Sequence, residues 1–105
     1  MNVNIKALGV ELTPEITAYL KKKFSSLDKF VKDGDNDAHA DIEIGKTTNH
    51  HNQGNIFFTE INFRVYGKNF NAKCQGESLM ASIDKTKDVA LEEIRKHKDI
   101  LTDHK

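Results

Sequence analysis

The clearest pattern in this chain is an alternation of apolar and polar residues on both sides of Gly67. Its apolar parity consists of Phe57, Thr59, Ile61, Phe63 and Val65 before the glycine, and Phe70, Ala72 and Cys74 after it. Alternation with a period of two on both sides of a Gly-X pair is typical of a β-hairpin. The sequence therefore predicts two antiparallel strands joined by a turn at Gly67-Lys68, with Gly67 in the first turn position. Another part of the chain must cover the apolar face of this hairpin.

Two further stretches alternate in the same way. The first covers residues 2–8 and ends before Gly9, and the second covers residues 38–44. Each is predicted to be a short strand. Between the second stretch and the hairpin, residues 46–55 are polar and are predicted to form a loop.

Two other stretches place apolar residues three or four positions apart, which is typical of amphipathic helices. Thr13-Pro14-Glu15 is a helix start, because threonine caps free N–H groups and proline suits the first turn. The apolar stripe that follows contains Ile16, Leu20, Phe24, Leu27 and Val31. It predicts a helix of about five turns. A second helix is predicted to begin after Ser78 and to run almost to the C-terminus, with an apolar side of Met80, Ile83, Ala90, Ile94 and Leu101.

The predicted order of elements is β-α-β-β-β-α, which defines an α+β fold. A helix between the first two strands requires a crossover, so these strands are expected to be parallel, and the later strands to form an antiparallel meander. Each strand has one apolar parity and each helix one apolar stripe. We therefore expect one four-stranded mixed sheet with both helices packed on the same face and a polar opposite face.

Composition narrows the class of protein. The 105 residues are expected to form a single domain, because smaller pieces would not bury a stable core. No apolar run approaches the ~20 residues of a membrane span and no signal stretch opens the chain, so a cytoplasmic protein without a membrane partner is expected. The single cysteine excludes an internal disulfide and agrees with a reducing compartment.

Charge is balanced overall but unevenly distributed. Sixteen basic and sixteen acidic side chains give a formal net charge of zero, so the total predicts no long-range attraction to nucleic acid. Between Leu20 and Lys32, however, there are five lysines, and Asp28 is the only acid. A second basic cluster is Arg95-Lys96-His97-Lys98, which two later aspartates dilute. Each cluster is either a stripe that contacts phosphates or an ordinary solvated face, and charge alone leaves both open.

The sequence contains no clear catalytic or metal-binding motif. His50 and His51 are adjacent in the predicted loop, where neighbouring side chains point apart, so the pair is more typical of a partner contact or a solvated loop than of a metal site. No nucleophile motif, phosphate-binding loop or redox pair is present. The carboxylates of the polar sheet face lack the burial that acid–base catalysis requires. We expect no enzyme activity, no cofactor and no small-molecule substrate.

Five segments are characteristic in combination. They are VELTPEI (Val10–Ile16), KFSSLDKF (Lys23–Phe30), GKTTNHHNQGNIFFTEINF (Gly45–Phe63), ASID (Ala81–Asp84) with Asp88, and RKHKD (Arg95–Asp99). In this order and spacing, over essentially the whole chain, the sequence resembles the short form of the ribosome hibernation-promoting factors, the family also called ribosome-associated inhibitor or protein Y. The resemblance implies the fold predicted above, similar to a double-stranded RNA-binding domain with an extra first strand. It also implies a single ribosome-binding domain without the C-terminal dimerisation domain of longer members.

The resemblance further implies a function. Family members bind the small ribosomal subunit in the channel between head and body, over the path of mRNA and the A- and P-site tRNAs, and inhibit translation in starved or stationary cells. Their contacts come mainly from basic side chains of the two helices to ribosomal RNA phosphates. The matching positions are Lys23 and Lys29 in the first helix and Lys96 and Lys98 in the second, with Lys22 and Arg95 beside them. His50 and His51 are candidate loop contacts, and a monomer is expected off the ribosome.

Departures from the family pattern leave alternatives open. The second helix of the family usually has a lysine and an arginine three residues apart, and here these positions are Val89 and Glu92. A carboxylate repels a phosphate, so binding is expected to rely on the first helix and the C-terminal cluster. One alternative is recognition of other structured or double-stranded RNA. Another is a diverged copy that binds a protein partner, and a third is a metal or enzyme site at His50 and His51.

Overall fold

Four strands and two α-helices make up the part of the chain that the computed structural model describes, residues 2–31, 37–47, 56–65 and 67–97. In chain order they are β1 (Asn2–Leu8), α1 (Pro14–Phe24), a 3-10 helix (Ser25–Phe30), β2 (His39–Thr47), β3 (Ile56–Val65), β4 (Lys68–Gly76) and α2 (Leu79–Arg95). The predicted β-α-β-β-β-α order is confirmed. β2 is longer than predicted, since Lys46 and Thr47 belong to the strand and Thr47 pairs with Ile56.

The strands form one mixed sheet in the order β1-β2-β3-β4. β1 and β2 are parallel, with Ile5 opposite Ile42. β2, β3 and β4 are antiparallel neighbours, so that Phe63 lies between Ala40 and Phe70. The predicted crossover between parallel strands and the meander that follows it are both confirmed.

The β3–β4 turn lies one residue earlier than predicted. Lys68 pairs with Val65 and belongs to β4, so it is not a turn residue, and Gly67, with φ of 74°, directly precedes the strand. This register places Phe63 opposite Phe70 and Glu60 opposite Lys73. Cross-strand aromatic pairs and opposite charges stabilise a hairpin, whereas the predicted turn would have shifted both pairs out of alignment.

The first helical segment begins as predicted, but it is not one α-helix of five turns. The N–H of Ile16 donates to Thr13 Oγ1 at 3.1 Å, which caps α1. After Phe24 the chain continues as a 3-10 helix. The hydroxyls of Ser25 and Ser26 donate to the carbonyls of Lys22 and Lys23, at 2.7 and 3.2 Å. Serine hydroxyls that bind these carbonyls compete with the α-helical N–H groups.

The 3-10 segment also satisfies packing. Phe24, Leu27 and Phe30 are all buried and lie three residues apart. Because a 3-10 helix has about three residues per turn, this spacing keeps all three side chains on one side. The tighter helix therefore continues the apolar stripe of α1 onto the sheet.

One apolar core fills the space between the helices and the sheet, so the prediction that both helices cover the same face is confirmed. The core contains apolar side chains from the helical segments and from the strands, with Ile5 and Ala7 of β1 packed at its edge. Its buried members include Leu20, Leu27, Ile42, Ile61, Phe63, Val65, Ile83, Ala90 and Ile94. Met80, which was predicted to lie on the core side of α2, is 36% exposed. Leu79, which begins α2 directly after the Ser78 cap, packs against the core instead. Leu101 lies outside the described residues.

Three buried hydroxyls attach α2 to β3. Thr59, Ser82 and Thr86 are fully buried. Thr86 Oγ1 lies 3.0 Å from the Thr59 carbonyl and 2.8 Å from the Ser82 carbonyl, which share its one hydroxyl proton, and the Thr59 and Ser82 hydroxyls are 2.8 Å apart. Buried polar groups are costly unless they are hydrogen-bonded, and this cluster meets that requirement. It fixes the position of α2 along the sheet.

The opposite sheet face is polar, as predicted, with one aromatic exception. Its side chains include Lys6, Asp41, Glu43, Glu60, Asn62, Arg64, Asn71 and Lys73. Phe58 lies on the same face but is only 6% exposed. Its ring covers Gly45 on the neighbouring strand, and Lys73 Nζ lies 5.0 Å from the ring centroid. Gly45 therefore provides the space that this ring occupies.

Candidate nucleic-acid interface

The solvent side of α1 and the 3-10 helix carries the least compensated positive charge of the described helices. This segment has four cations and two carboxylates, whereas α2 and Lys96 together carry four of each. Lys22 and Lys29 are exposed, and neither makes an ion pair with a described residue. The Lys29 ammonium lies 5.3 Å from the centroid of the Phe30 ring. Both lysines are therefore free to meet an anion.

Lys23 is in a different environment because it is paired across the two helices. Its Nζ lies 3.4 Å from Asp84 Oδ1 on α2. The Tyr19 hydroxyl donates to the same oxygen at 2.8 Å, and the Lys23 ammonium is 5.4 Å from the Tyr19 ring centroid. The interaction with Asp84 raises the pKa of Lys23, and the hydrogen bond to Asp84 raises the pKa of Tyr19. Lys23 thus helps to join α1 to α2.

The basic cluster at the end of α2 is only partly paired. Arg95 is exposed and has no carboxylate partner among the residues that the structure describes. Lys96 Nζ lies 3.2 Å from Glu93 Oε1, so Lys96 pairs with Glu93 rather than with Glu92, which stands at the i,i+4 spacing common for surface pairs. Lys96 is the C-cap residue, where the chain leaves α2, and its side chain reaches back three residues rather than four. The Lys96 side chain is 62% exposed and that of Glu93 38%, and a surface pair of this kind contributes little to stability.

The end of α2 is held against the sheet. The His97 ring lies edge-on to Phe70 of β4, with centroids 5.0 Å apart and an interplanar angle of 78°. This contact links the chain just after Arg95 and Lys96 to the sheet. Lys98, His50 and His51 lie outside the described residues.

The predicted anchors form two groups rather than one. The Lys23–Asp84 pair places the end of α1 beside the second turn of α2. Lys96 is twelve positions after Asp84, which corresponds to about 18 Å along a helix. Both groups lie on the helical side of the sheet, because both helices share one core with it. A ligand that touches both groups must be an extended polyanion rather than a single phosphate.

Sequence reasoning missed the residues that neutralise these lysines. The local pattern assigns no role to Asp84, which neutralises Lys23, or to Tyr19, which donates to the same carboxylate. On α2, Lys87 pairs with Asp88 at 3.3 Å. The i,i+4 spacing of Tyr19 and Lys23 was visible in the sequence, but their common partner is distant in the chain. The local pattern therefore indicated positive charge without showing how much of it is compensated.

The other features of the described residues do not indicate a catalytic or metal-binding site. Within residues 2–31, 37–47, 56–65 and 67–97, no three His, Cys, Asp or Glu side chains are grouped to hold a metal ion. A cavity of about 390 Å³ between α1, the 3-10 helix, β1 and β2 has a mainly apolar lining that includes Ile5, Phe24 and Ile42. No described helix is both long enough and apolar enough to cross a membrane.

The fold and this surface define a class of small α+β proteins in which two helices cover one face of a four-stranded mixed sheet and carry exposed cations. The chain belongs to the family described as sigma 54 modulation protein / S30EA ribosomal protein, which matches residues 3–102. The family resemblance found in the sequence is therefore confirmed.

Individual relatives agree with this assignment. The chain is 30% identical over 104 residues to the ribosome hibernation promoting factor of Klebsiella oxytoca, a match that covers 99% of this chain and 100% of the relative. The fold is similar to the N-terminal domain of Thermus thermophilus protein Y, with a TM-score of 0.68, 19% identity and coverage of 92% of this chain and 99% of the other. It is equally similar to a ribosomal subunit interface protein from Coxiella burnetii, with a TM-score of 0.68, 16% identity and coverage of 93% and 98%.

Proposed function

We propose that this protein is a ribosome hibernation factor of the cytoplasm. It binds the small ribosomal subunit through ribosomal RNA in the decoding channel, overlaps the sites of mRNA and of the A- and P-site tRNAs, and inhibits translation under stress or in stationary phase. The observation that carries the proposal is the family match over residues 3–102. A relative that is named a ribosome hibernation promoting factor, and that aligns over its whole length, supports it.

The mechanism is steric occlusion with electrostatic anchoring, and it involves no catalytic step. The core and the buried hydroxyl cluster hold α1 and α2 on the sheet, so the lysines are presented at fixed spacing. Of the anchors predicted from the sequence, Lys22, Lys29 and Arg95 are the principal ones because their charges are uncompensated among the described residues. Lys23 and Lys96 contribute from within ion pairs, and Lys98, His50 and His51 extend the contact.

Co-sedimentation with purified small subunits tests this proposal. The variant Lys22→Gln/Lys29→Gln/Arg95→Gln removes three charges from the helical side and is expected to lose most of its binding, because phosphate contacts supply the attraction. The matched control is Lys6→Gln/Arg64→Gln/Lys73→Gln, which removes three charges from the polar sheet face and is expected to bind normally. Equal loss in both variants, or in neither, would reject these anchors.

Occlusion of the channel requires a separate test. The protein is expected to inhibit translation in a purified system, and to bind less well to subunits already loaded with mRNA and P-site tRNA. Unchanged binding to loaded subunits would contradict an overlapping site. An excess of duplex RNA that displaces the protein as effectively as small subunits would favour general recognition of structured RNA.

Off the ribosome the protein is proposed to be a monomer, a single ribosome-binding domain. Sedimentation equilibrium at micromolar concentration is expected to give a mass near 11.9 kDa. A mass of twice that value would require the binding stoichiometry to be reconsidered.

A further inference from the structure

Among the described residues of α2, Asp84 is the carboxylate that pairs with side chains of the other helix. Asp84 Oδ1 accepts a hydrogen bond from Tyr19 and pairs with Lys23, and both partners are on α1. The other ion pairs of α2, Lys87 with Asp88 and Lys96 with Glu93, each lie within one segment. Asp84 therefore differs from the neighbouring acids in that it fixes a cation relative to a second helix.

We propose that Asp84 determines specificity at the RNA-facing surface: it holds Lys23 in one position and cancels its charge, so that the surface discriminates against RNA in general. This inference rests on the proposed function for the identity of the favoured target. It concerns a residue for which the anchoring mechanism above requires no role.

The geometry leaves Lys23 accessible while it is paired. A lysine ammonium has three donors, of which Asp84 takes one, and the ring of Tyr19 lies on another side. The Lys23 side chain is 31% exposed and that of Asp84 46%. A phosphate can therefore reach Lys23 without breaking the pair, but only from a direction that avoids the carboxylate.

The restricted direction of approach to Lys23 favours some nucleic acids over others for an electrostatic reason. A free lysine on a flexible chain attracts a phosphate from any direction, which is the basis of non-specific binding to nucleic acid. A lysine beside a fixed carboxylate attracts weakly from most directions, because a phosphate meets both charges. Specificity is a difference between affinities and is increased by repulsion of the wrong partner. A target whose phosphates approach Lys23 from the open direction loses little binding free energy, because the lysine is already held in the position that binding requires.

Tyr19 supports the arrangement by orienting the carboxylate. Tyr19 and Lys23 are four residues apart on one side of α1, so both donors approach Asp84 from the same helix. Two donors on one oxygen restrict rotation of the Asp84 side chain. The direction from which Lys23 is open is therefore set by the packing of α1 against α2.

The test compares Asp84→Asn with Asp88→Asn, which removes the same charge from an ion pair that lies within α2. Affinities for purified small subunits and for an RNA duplex of arbitrary sequence are measured over a range of salt. Asp84→Asn is expected to bind the duplex about 3- to 10-fold more tightly, with a salt slope steeper by about 0.9, the value for one additional phosphate contact. Its affinity for subunits is expected to stay equal or fall, so the ratio of the two affinities decreases. Asp88→Asn is expected to change both affinities alike.

Further variants separate the proposal from a simple change of net charge. In a Lys23→Gln background, Asp84→Asn is expected to have no more effect than Asp88→Asn, and Asp84→Glu is expected to keep the wild-type slope. Equal effects of Asp84→Asn and Asp88→Asn, or an effect of Asp84→Asn that persists without Lys23, would overturn the proposal. If Asp84→Asn does not fold, Lys23→Gln is compared with Lys22→Gln. The first is expected to weaken duplex binding less, because Lys23 is already compensated, and an equal loss would overturn the inference.

The two proposals fail in different ways. If the wild-type protein does not bind small subunits, the proposed function is wrong. The duplex measurements would still show whether Asp84 restrains Lys23.

Discussion

The number of phosphates that the protein contacts can be measured by raising the salt concentration from about 50 to about 200 mM. Each neutralised phosphate contributes about −0.9 to the slope of log K against log salt in double-stranded DNA. Of the predicted anchors in the described residues, Lys22, Lys29 and Arg95 are uncompensated, so these three are expected to give a slope of about −2.7, and Lys98 would add about −0.9. Over a fourfold increase in salt, slopes of about −2.7 and about −3.6 weaken binding about 40-fold and about 150-fold.

A count of phosphate contacts that includes the paired lysines predicts a clearly steeper salt dependence. If Lys23, Lys96 and Lys98 also contacted phosphates at full strength, the slope would be about −5.4 and the loss about 2,000-fold. The assay is sedimentation of the protein with small subunits at five or more salt concentrations. A slope close to zero would refute phosphate anchoring and favour a protein partner. A slope near −5 would refute the idea that Asp84 and Glu93 compensate their lysines.

Two other predictions concern the fold on which the surface depends. Gly45→Ala is expected to lower the free energy of unfolding by about 1–3 kcal/mol in urea titrations, since the new Cβ would lie 2.5 Å from Phe58 Cε1 and 2.8 Å from the Leu8 carbonyl. An unchanged midpoint would show that both the Phe58 ring and the backbone at Leu8 can shift without cost. Stability is also expected to decrease as the pH rises above 10, because the folded state raises the pKa of Tyr19 above 10.0 and that of Lys23 above 10.5, so the contribution of their protonated forms is lost at high pH. Asp84→Asn is expected to remove much of this dependence, and an identical pH profile in that variant would contradict the assigned cause.

Local patterns were sufficient to predict most of the fold. Thr13 and Ser78 cap α1 and α2 as the sequence indicated, because a cap depends only on residues a few positions away. The apolar parity of β3 and β4 also predicted which side chains face the core. These features depend on residues that are close together in the sequence rather than on contacts between distant segments.

The errors arose where two plausible local solutions compete. Gly67 suits either position of a two-residue turn, and the choice was decided by the pairs that β3 and β4 form, Phe63 with Phe70 and Glu60 with Lys73. The stripe of the first helix is compatible with an α-helix through Val31. The hydroxyls of Ser25 and Ser26 favour the tighter 3-10 form instead.

The candidate surface was harder to predict than the fold, because charge compensation depends on tertiary structure. The local pattern indicates where Lys22, Lys23 and Lys29 lie on the helix but not how their environments differ. Lys23 is neutralised by a residue on another helix, and no periodicity of α1 reveals that contact. Burial and partners, rather than the number of lysines, determine which of them can act on a ligand.

The apolar cavity below α1 has a mechanical consequence for recognition. A helix that rests on a gap lacks part of the van der Waals contact that makes protein interiors stiff. This cavity is half open to solvent and lies between β1, β2 and the segment that bears Lys22 and Lys29, so we expect that segment to be supported more softly than α2, whose hydroxyls bond directly to β3. The first helical segment is therefore expected to adjust more readily than α2 to an irregular polyanion, while α2 keeps its alignment with the sheet.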